Sequence, residues 1–396
     1  MYRVFSITYR GGKDLQNIFK LWNKDILSID IGSHSIKLLV GKNDKGNISI
    51  SKAVTIETPT DSYYDGEIIN MLSIKEVIKE ALHNNKIRAA KTVCTLESSS
   101  VIAREIDMPS VKPEQMKSML EFEIEQYLPI EIDEYIIQYK MLEEFKFEGI
   151  DKTRVLVTAL PKKIAGDYYS LVESLGLSPV SLDLHSNVVD KVFGENLNVN
   201  NLADFSNKTI AVIDLGHSQI NIIMIEKGIF KFNRLLKMGG RDIDTNICNF
   251  LDFNLEEAGL KKKSVKDISA GMQHLTAASA EDTVAETSST YLEKEFEDFS
   301  FDSRLINIIK TSIDKWVTEI EKVFKYYTTR NTGNVVDEIY IYGGNCELGG
   351  IEQYLESALN IPTYKINTMG SLTREKEGTN INIACYVNNI GALIRR

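Results

Sequence analysis

An aspartate, a glycine, two serines and a lysine lie close together where an apolar run is interrupted near the N-terminus. The stretch "SIDIGSHSIKLLVGK" contains Asp30, Gly32, Ser33, Ser35 and Lys37. Glycine lets a hairpin backbone turn tightly and come close to a ligand. The backbone N–H groups of such a turn, together with the Ser33 hydroxyl group, can hold phosphate oxygens. These residue types therefore predict a phosphate-binding hairpin.

Asp30 and Lys37 supply the charges that a nucleoside triphosphate and its metal ion require. A carboxylate among phosphate-binding groups is useful when a cation lies between them, and Mg²⁺ bridges the two directly or through water. Lys37 can bring its ammonium group to the β- and γ-phosphates. We therefore expect Asp30 to be a Mg²⁺ ligand. An isolated Asp-x-Gly between two strands is more often only a turn, so this hypothesis depends on the rest of the chain.

The second half of the chain repeats the pattern of the first hairpin. The stretch "TIAVIDLGHSQINIIMIEKG", residues 209 to 228, places Asp214 and Gly216 at the spacing of the first copy. A weak internal repeat of this kind is typical of a duplicated domain. We expect Asp214 to be a second Mg²⁺ ligand, and Gly216 and Ser218 to bind phosphate.

A third glycine site follows a predicted strand in the last fifth of the chain. The strand "EIYIYGG" leads into Gly343, Gly344 and Asn345, where a nucleotide base can lie against bare backbone. Each of the three sites alone indicates little. Together, and in this order, they predict a site for ATP and Mg²⁺.

The composition of the chain argues against several classes of function. The net charge of −10 argues against a nucleic-acid binder, because contact with nucleic-acid phosphates needs a basic surface. No apolar run approaches the roughly 18 residues of a membrane helix, and the N-terminus does not resemble a secretory signal. The four cysteines are scattered and indicate neither a zinc site nor a disulfide framework. We expect a cytoplasmic protein that does not bind nucleic acid.

Strand and helix patterns alternate from residue 27 onward, which predicts an α/β fold. Residues 27 to 31 and 36 to 40 form two predicted strands of a hairpin around Asp30. Apolar residues at helical spacing from Leu305 to Tyr327 predict a long helix with one buried face.

Residues 1 to 24 are basic and stand apart from this pattern. Apolar side chains at helical spacing allow an amphipathic helix that contacts a membrane surface or a partner. The alternative is an extension that docks on the body of the protein or frays.

The three glycine sites, in this order, resemble those of the actin-like ATPase superfamily. The family's first hairpin is Asp-x-Gly-Ser-x-x-x-Lys, which "DIGSHSIK" matches at every defined position. The resemblance implies two lobes, each built on a five-stranded sheet, with ATP between them. It also implies that Gly239 and Gly240 line the nucleotide cleft and that Glu257 and Lys261 contact the ribose. The alternative for the last two is an ordinary solvated helix pair.

The middle of the chain resembles a narrower family. Residues 104 to 139 and 154 to 184 are similar to segments of PilM, a family of type IV pilus assembly proteins, and to a small subdomain shared with the division protein FtsA. This resemblance implies a cytoplasmic scaffold that captures the N-terminal tail of a PilN-like inner-membrane protein in a groove. It places the chain at the inner face of the membrane, held there by its partners. Other pilus components and a homo-oligomer stay open.

The resemblance and the patterns together give domain boundaries. The chain divides into a basic extension, a first-lobe core, an inserted FtsA/PilM-type subdomain, a second-lobe core, and a small second-lobe subdomain with an acidic Ser/Thr-rich insertion. These are, in the same order, residues 1–24; 25–91 and 183–207; 92–182; 208–248 and 305–396; and 249–304.

Slow hydrolysis is expected, because the residue that follows the joining strand departs from the family pattern. Actin-like relatives tend to carry Glu or Gln after that strand, whereas this chain has His185, with Asp183 nearby on the strand. Hydrolysis needs a group that positions or deprotonates water. Two other functions remain open: a sugar or acetate-type kinase of the same fold, and an FtsA-like membrane-associated filament former.

Overall fold

The computed structural model describes residues 25–44, 46–112, 115–116, 118–120, 123–124, 131–194, 198–201, 205–269, 301–330, 333–370, 372–374 and 381–394. Two compact units divide these residues. One contains the described residues up to Lys208 together with Ile223–Leu235 and those from Ile366 onward. The other contains Thr209–Ile222 and the described part of Leu236–Lys365.

Strands and helices alternate through both units, as predicted. Up to Gly194 the elements are β1 (Ile26–Ile31), β2 (Ser35–Asp44), β3 (Asn47–Glu57), β4 (Tyr63–Tyr64), β5 (Glu67–Ile68), α1 (Met71–Asn84), β6 (Lys91–Leu96), β7 (Ile102–Pro109), β8 (Tyr135–Phe147), β9 (Ile150–Pro161), α2 (Lys162–Ser174), β10 (Ser178–Leu184) and α3 (His185–Gly194). From Thr209 they are β11 (Thr209–Leu215), β12 (Ile220–Glu226), β13 (Ile229–Leu236), α4 (Gly240–Leu251), α5 (Leu255–Ser264), α6 (Phe301–Arg330), β14 (Glu338–Tyr342), α7 (Ile351–Leu359), β15 (Thr363–Lys365), β16 (Leu372–Arg374) and α8 (Ile383–Ala392).

A six-stranded sheet of order β10-β6-β1-β2-β3-β16 forms the core of the first unit. β1 pairs antiparallel with β2, which confirms the predicted hairpin, and parallel with β6. Every residue of β1 is buried, as expected for a strand covered on both faces. One strand more than the five expected is present, because the short β16 pairs in parallel with β3.

A separate sheet of order β7-β9-β8 also lies in the first unit. Its strands are antiparallel, and one face packs on a cluster that includes Met116, Leu120 and Ile124 of the predicted apolar stripe. β6 and β10, which overlap the two ends of the predicted subdomain 92–182, pair instead with the six-stranded sheet. The separate sheet itself runs from Ile102 to Pro161.

A five-stranded sheet has the order β13-β12-β11-β14-β15, with β14 parallel to both of its neighbours. The long helix predicted from the apolar stripe is α6, a helix of 30 residues whose stripe from Leu305 to Tyr327 is buried. Among the described residues, no helix has both the length and the apolarity needed to cross a bilayer.

The helix α8 returns to the first hairpin late in the chain. Asn389 is fully buried, and its Nδ2 atom donates to the backbone oxygens of Ser28 and Lys37 at 3.2 and 3.1 Å. These contacts join the two strands of the hairpin through a side chain that lies 352 residues after Lys37.

Candidate functional site

The turn of the first hairpin is tight and leaves its polar groups accessible. The N–H group of Gly32 donates to the Ser35 carbonyl at 3.0 Å, and a Cβ atom at Gly32 would lie 3.1 Å from that carbonyl. The Thr58 hydroxyl donates to the Gly32 carbonyl at 2.6 Å and holds the turn in place. Ser33 and Ser35 are partly exposed. A turn of this kind can present N–H and hydroxyl groups to an anion.

Asp30 lies behind this turn and is only 4% exposed. The Thr95 hydroxyl donates to Oδ1 at 2.9 Å, His185 Nε2 lies 2.9 Å from the same oxygen, and Lys37 Nζ lies 3.7 Å from Oδ2. Burial alone would raise the pKa of this carboxyl. The surrounding imidazole, ammonium and hydroxyl groups outweigh burial and hold the pKa well below its usual range. Asp30 is therefore an anion at neutral pH.

Lys37 reaches Asp30 because of strand register. Asp30 and Lys37 are directly paired residues of β1 and β2, so their side chains leave the same face of the sheet. The predicted pair thus comes together, and the lysine is held next to the carboxylate.

The structure assigns different positions to His185 and Asp183, which the sequence placed at the joining strand. His185 begins α3 and contacts Asp30, as described above. Asp183 is buried and contacts residues of α3, where Oδ2 accepts from Lys191 Nζ at 2.6 Å and Oδ1 from Asn187 at 2.6 Å. Lys191 also donates to the Ile394 carbonyl at 3.0 Å. Asp183 therefore anchors α3.

The second hairpin repeats the tight turn in the other unit. A Cβ atom at Gly216 would lie 2.5 Å from the Gln219 carbonyl, so glycine is required there. Asp214 and Ser218 are both partly exposed. Asp214 is the last but one residue of β11 and pairs with Tyr342 at the end of β14, which leads to the third glycine site.

The glycines at the start of α4 pack directly on the second hairpin. The Gly240 N–H donates to the Gly216 carbonyl at 3.1 Å, and the Arg241 N–H donates to the His217 carbonyl at 2.7 Å. A Cβ atom at Gly239 would lie 2.5 Å from the Gly216 carbonyl. The α4 N-terminus and the hairpin are therefore in backbone contact.

The third glycine site closes the same cluster. Gly343 has φ +94°, and a Cβ atom there would collide with Asp214 Oδ1. The Asn345 side chain donates to the Gly216 carbonyl at 2.7 Å. A Cβ atom at Gly344 would meet open space, so the backbone there is bare, as a stacked base requires. Within the second unit, the structure thus brings together the glycine, aspartate and asparagine residues predicted from three distant segments.

The two predicted ribose contacts, Glu257 and Lys261, have structural partners. Glu257 forms a capping box with Asn254 at the start of α5, with N–H···O distances of 2.9 and 3.1 Å. Lys261 Nζ lies 5.7 Å from the ring centroid of Phe253 and 5.4 Å from that of Phe301, as a cation over two aromatic faces. Their contact with a ribose stays a prediction.

Lys262, which sequence reasoning missed, reaches the glycine cluster. It is 8% exposed, and its Nζ donates to the Gly240 carbonyl at 3.1 Å and to Asp244 at 2.9 Å. Burial lowers the pKa of Lys262, and Asp244 opposes this shift. Lys262 is the middle one of three consecutive lysines, so the local sequence does not distinguish it from its neighbours. Ala258, four positions earlier, lies on the buried face of α5 and is the sequence signal that Lys262 is buried too.

The chemistry of these residues fits a nucleotide with bound Mg²⁺. Mg²⁺ prefers oxygen ligands, keeps several waters, and is commonly bound by one or two carboxylates plus substrate phosphates. Asp30 and Asp214 supply such carboxylates, each beside a tight glycine turn. No group of three or more metal-ligating side chains occurs in the described part of the chain. A metal at either aspartate would therefore depend on phosphate and water for its remaining ligands.

Two solved structures resemble this chain over nearly its whole length. A "PilM-PilN type IV pilus biogenesis complex" matches with a TM-score of 0.72 at 18% identity, covering 93% of this chain and 98% of that chain. The ethanolamine utilization protein EutJ from Carboxydothermus hydrogenoformans matches with a TM-score of 0.52 at 13% identity, covering 93% and 89%.

The fold, with its two glycine hairpins, is the α/β fold of the actin-like ATPases. The family model "Type IV pilus assembly protein PilM" matches residues 28–278, which is more than half of the chain. This chain belongs to the PilM family of type IV pilus assembly proteins, so the PilM resemblance noted in the sequence is confirmed, as is the expected fold class. Its general role is in type IV pilus assembly.

Proposed function

We propose that this chain is an ATP-binding scaffold that captures the N-terminal tail of a PilN-like inner-membrane protein at the cytoplasmic face of the membrane. Membership of the PilM family supports a pilus role, and the resemblance to a PilM–PilN complex supports a PilN-like partner. The observation that carries the nucleotide part is the buried anion Asp30, held beside Lys37 behind a tight glycine turn.

The proposed nucleotide and metal ligands are the residues predicted from the sequence. In the first unit, Gly32, Ser33 and Ser35 bind phosphate and Lys37 supplies positive charge, while Asp30 holds Mg²⁺ directly or through water. In the second unit, Asp214 is the corresponding carboxylate. The other groups of that unit are Gly216, Ser218, Gly239, Gly240, Glu257, Lys261, Gly343, Gly344 and Asn345.

The separate sheet β7-β9-β8 is the proposed site of the partner tail. Its outer strands β7 and β8 each have β9 as a neighbour within that sheet, so each has an edge that an extended peptide can join. Strand addition gives affinity through main-chain hydrogen bonds and specificity through pockets for alternate side chains. Most side chains of β8 are half-buried, so part of their surface stays accessible to a peptide.

Calorimetry with the full chain tests both parts of the proposal. ATP titrated with Mg²⁺ should bind, and excess EDTA should weaken binding. A synthetic peptide with the N-terminal sequence of a PilN-like protein should bind as well, whereas its scrambled sequence should not. Absence of ATP binding would refute the nucleotide part, and absence of peptide binding would refute the partner part.

A further inference from the structure

The third glycine site continues into one turn of 3₁₀ helix, Gly344–Glu347, which ends in a carboxylate. The Leu348 N–H donates to the Asn345 carbonyl at 3.2 Å, the bond between residues three apart that defines such a turn. A 3₁₀ helix has three residues per turn, so side chains three positions apart leave it on the same side. Glu347 therefore leaves the turn on the side of the missing Gly344 side chain, where a Cβ atom would meet open space.

Burial along this turn has the same period of three. Gly344 and Glu347 are exposed, whereas Gly343, Cys346 and Leu348 are buried. The Glu347 side chain is 44% exposed, so a ligand in solution can reach it. Glu347 thus borders the bare backbone on which the proposed function places the base.

Two contacts hold the Glu347 carboxylate close to these glycines. Its Oε1 atom lies 2.6 Å from Lys365 Nζ and 3.8 Å from Cys346 Sγ, and the Cys346 thiol donates to the Gly343 carbonyl at 2.8 Å. Lys365 ends β15, and its register partner in β14 is Ile341, two residues before Gly343. The ion pair therefore lies where two parallel strands end, the edge at which open α/β sheets bind their ligands.

This ion pair presents a hydrogen-bond acceptor next to a donor. An ionised carboxylate only accepts, and an ammonium group only donates. Adenine has an N6 amino donor beside the N7 acceptor, whereas guanine has two acceptors, O6 and N7, in the same places. A carboxylate at this edge of the base attracts the adenine amino group and repels the guanine O6 atom.

We propose that Glu347, held by Lys365, accepts a hydrogen bond from the 6-amino group of adenine and thereby selects ATP over GTP. This inference rests on the proposed nucleotide binding and names the group of the base that the chain reads. The bare glycine backbone does not make this selection, because every base has a flat face that can stack. Glu347 supplies the polar contact that distinguishes one purine from the other.

Two ligands that differ only in the amino group test the inference on the wild-type protein. ATP and purine riboside triphosphate, which lacks the 6-amino group, are titrated by calorimetry into the full chain with Mg²⁺. A hydrogen bond to a charged group changes affinity about 10- to 100-fold. The wild type should therefore bind ATP about tenfold or more tightly than the purine analogue, and GTP should bind no more tightly than the analogue.

Glu347→Ala removes the acceptor and should bind ATP and the purine analogue with equal affinity. The ratio of the two dissociation constants is the readout, since a change of charge near the triphosphate acts on both ligands alike. Glu356→Ala is the matched control, because it removes an exposed acid from α7, and it should keep the wild-type ratio. Unfolding midpoints of the nucleotide-free variants show that both fold. The wild-type comparison needs no variant and decides the matter if Glu347→Ala does not fold.

Three results would overturn the inference. They are equal affinity of the wild type for ATP and the purine analogue, GTP binding as tight as ATP binding, and a full preference for ATP in folded Glu347→Ala. Failure of the wild type to bind ATP, GTP and the analogue alike would instead refute the proposed function. The two failures are therefore distinguishable.

Discussion

Asp30 collects partners from three different elements: Lys37 from β2, Thr95 from β6 and His185 from α3. Such convergence holds the carboxylate in one position before any ligand arrives. Preorganised charges lower the cost of binding because less ordering remains to be done. In the proposed function, Mg²⁺ or phosphate would have to share Asp30 and Lys37 with the groups that already neutralise them.

The first prediction at this scale concerns Lys37. Lys37→Ala should weaken binding of Mg²⁺–ATP about 10- to 100-fold, because it removes a charge-assisted contact of roughly 1.5–3 kcal/mol. Calorimetry measures the dissociation constant. Lys42→Ala, further along the same strand, is the matched control and should bind as the wild type does. Unchanged affinity in Lys37→Ala would remove the phosphate role of the hairpin.

The second prediction concerns the rate of turnover. We expect steady-state phosphate release below about 1 s⁻¹, the lower end of ordinary enzymes. The reason is that position 185 carries a histidine, which contacts Asp30. A phosphate-release assay measures the rate. Several turnovers per second would contradict the scaffold interpretation, and rapid phosphorylation of a sugar or acetate would favour a kinase.

At the scale of elements, α5 shows how helix register separates adjacent residues of the same type. Lys262 is buried against Asp244 and the Gly240 carbonyl, whereas Lys261 lies over the rings of Phe253 and Phe301. Successive helical residues point about 100° apart. The two lysines therefore have different environments although they are adjacent residues of the same type.

This difference gives a prediction for the stability of the chain. Lys262→Met leaves Asp244 buried without its cation and should cost about 3–5 kcal/mol. Lys261→Met loses a cation–π contact and should cost about 0.5–1 kcal/mol. Chemical unfolding of the two variants beside the wild type measures both costs. Equal costs would show that Lys262 is not the buried member of the pair.

Sequence reasoning found the residues whose role depends on local spacing. Asp30 and Lys37 are register partners in a short hairpin, so seven positions of sequence suffice to relate them. Glu97 and Ser186 are 89 residues apart and meet only through the pairing of β6 with β10. Lys262 depended on which face of α5 packs inward. The first of these relations leaves no mark in local spacing, and the second is marked only by Ala258, four positions before Lys262.

At the scale of the whole molecule, the PilM fold carries one glycine hairpin in each unit and a separate sheet in the first. The fold class, the hairpins and the pilus family followed from motifs in the sequence, because each motif is contiguous. The extent of the separate sheet did not, since β6 and β10 flank it in sequence but pair elsewhere. Which strands pair across long stretches of sequence depends on the packing of the whole sheet, not on the residues of either strand alone.

The prediction at this scale concerns where the partner tail binds. A tail peptide carrying a photo-crosslinking residue should label the segment 92–182, chiefly β7 to β9, as mapped by mass spectrometry. The reason is that these strands supply sheet edges and none of the proposed phosphate or metal ligands. Lys37→Ala should still bind the tail, but more weakly. The reason is that a bound nucleotide favours one conformation of the protein, and the variant loses nucleotide affinity and with it this bias.

Two results would contradict this placement. Crosslinks found mainly in residues 208 to 396 would move the tail site away from the separate sheet. Tail binding that survives replacement of 92–182 would do the same. A scrambled peptide with the same crosslinker shows the background level of labelling.

The contact of Asn389 with Ser28 and Lys37 also has a consequence for how the protein is made. A ribosome adds about 5–20 residues per second, so the 352 residues between Lys37 and Asn389 take roughly 20–70 s to appear. Throughout that time the first hairpin exists without the side chain that joins its strands. The first unit can therefore reach its final form only after the second has been synthesised. Until then its early strands are part of a nascent chain that lacks the Asn389 contacts.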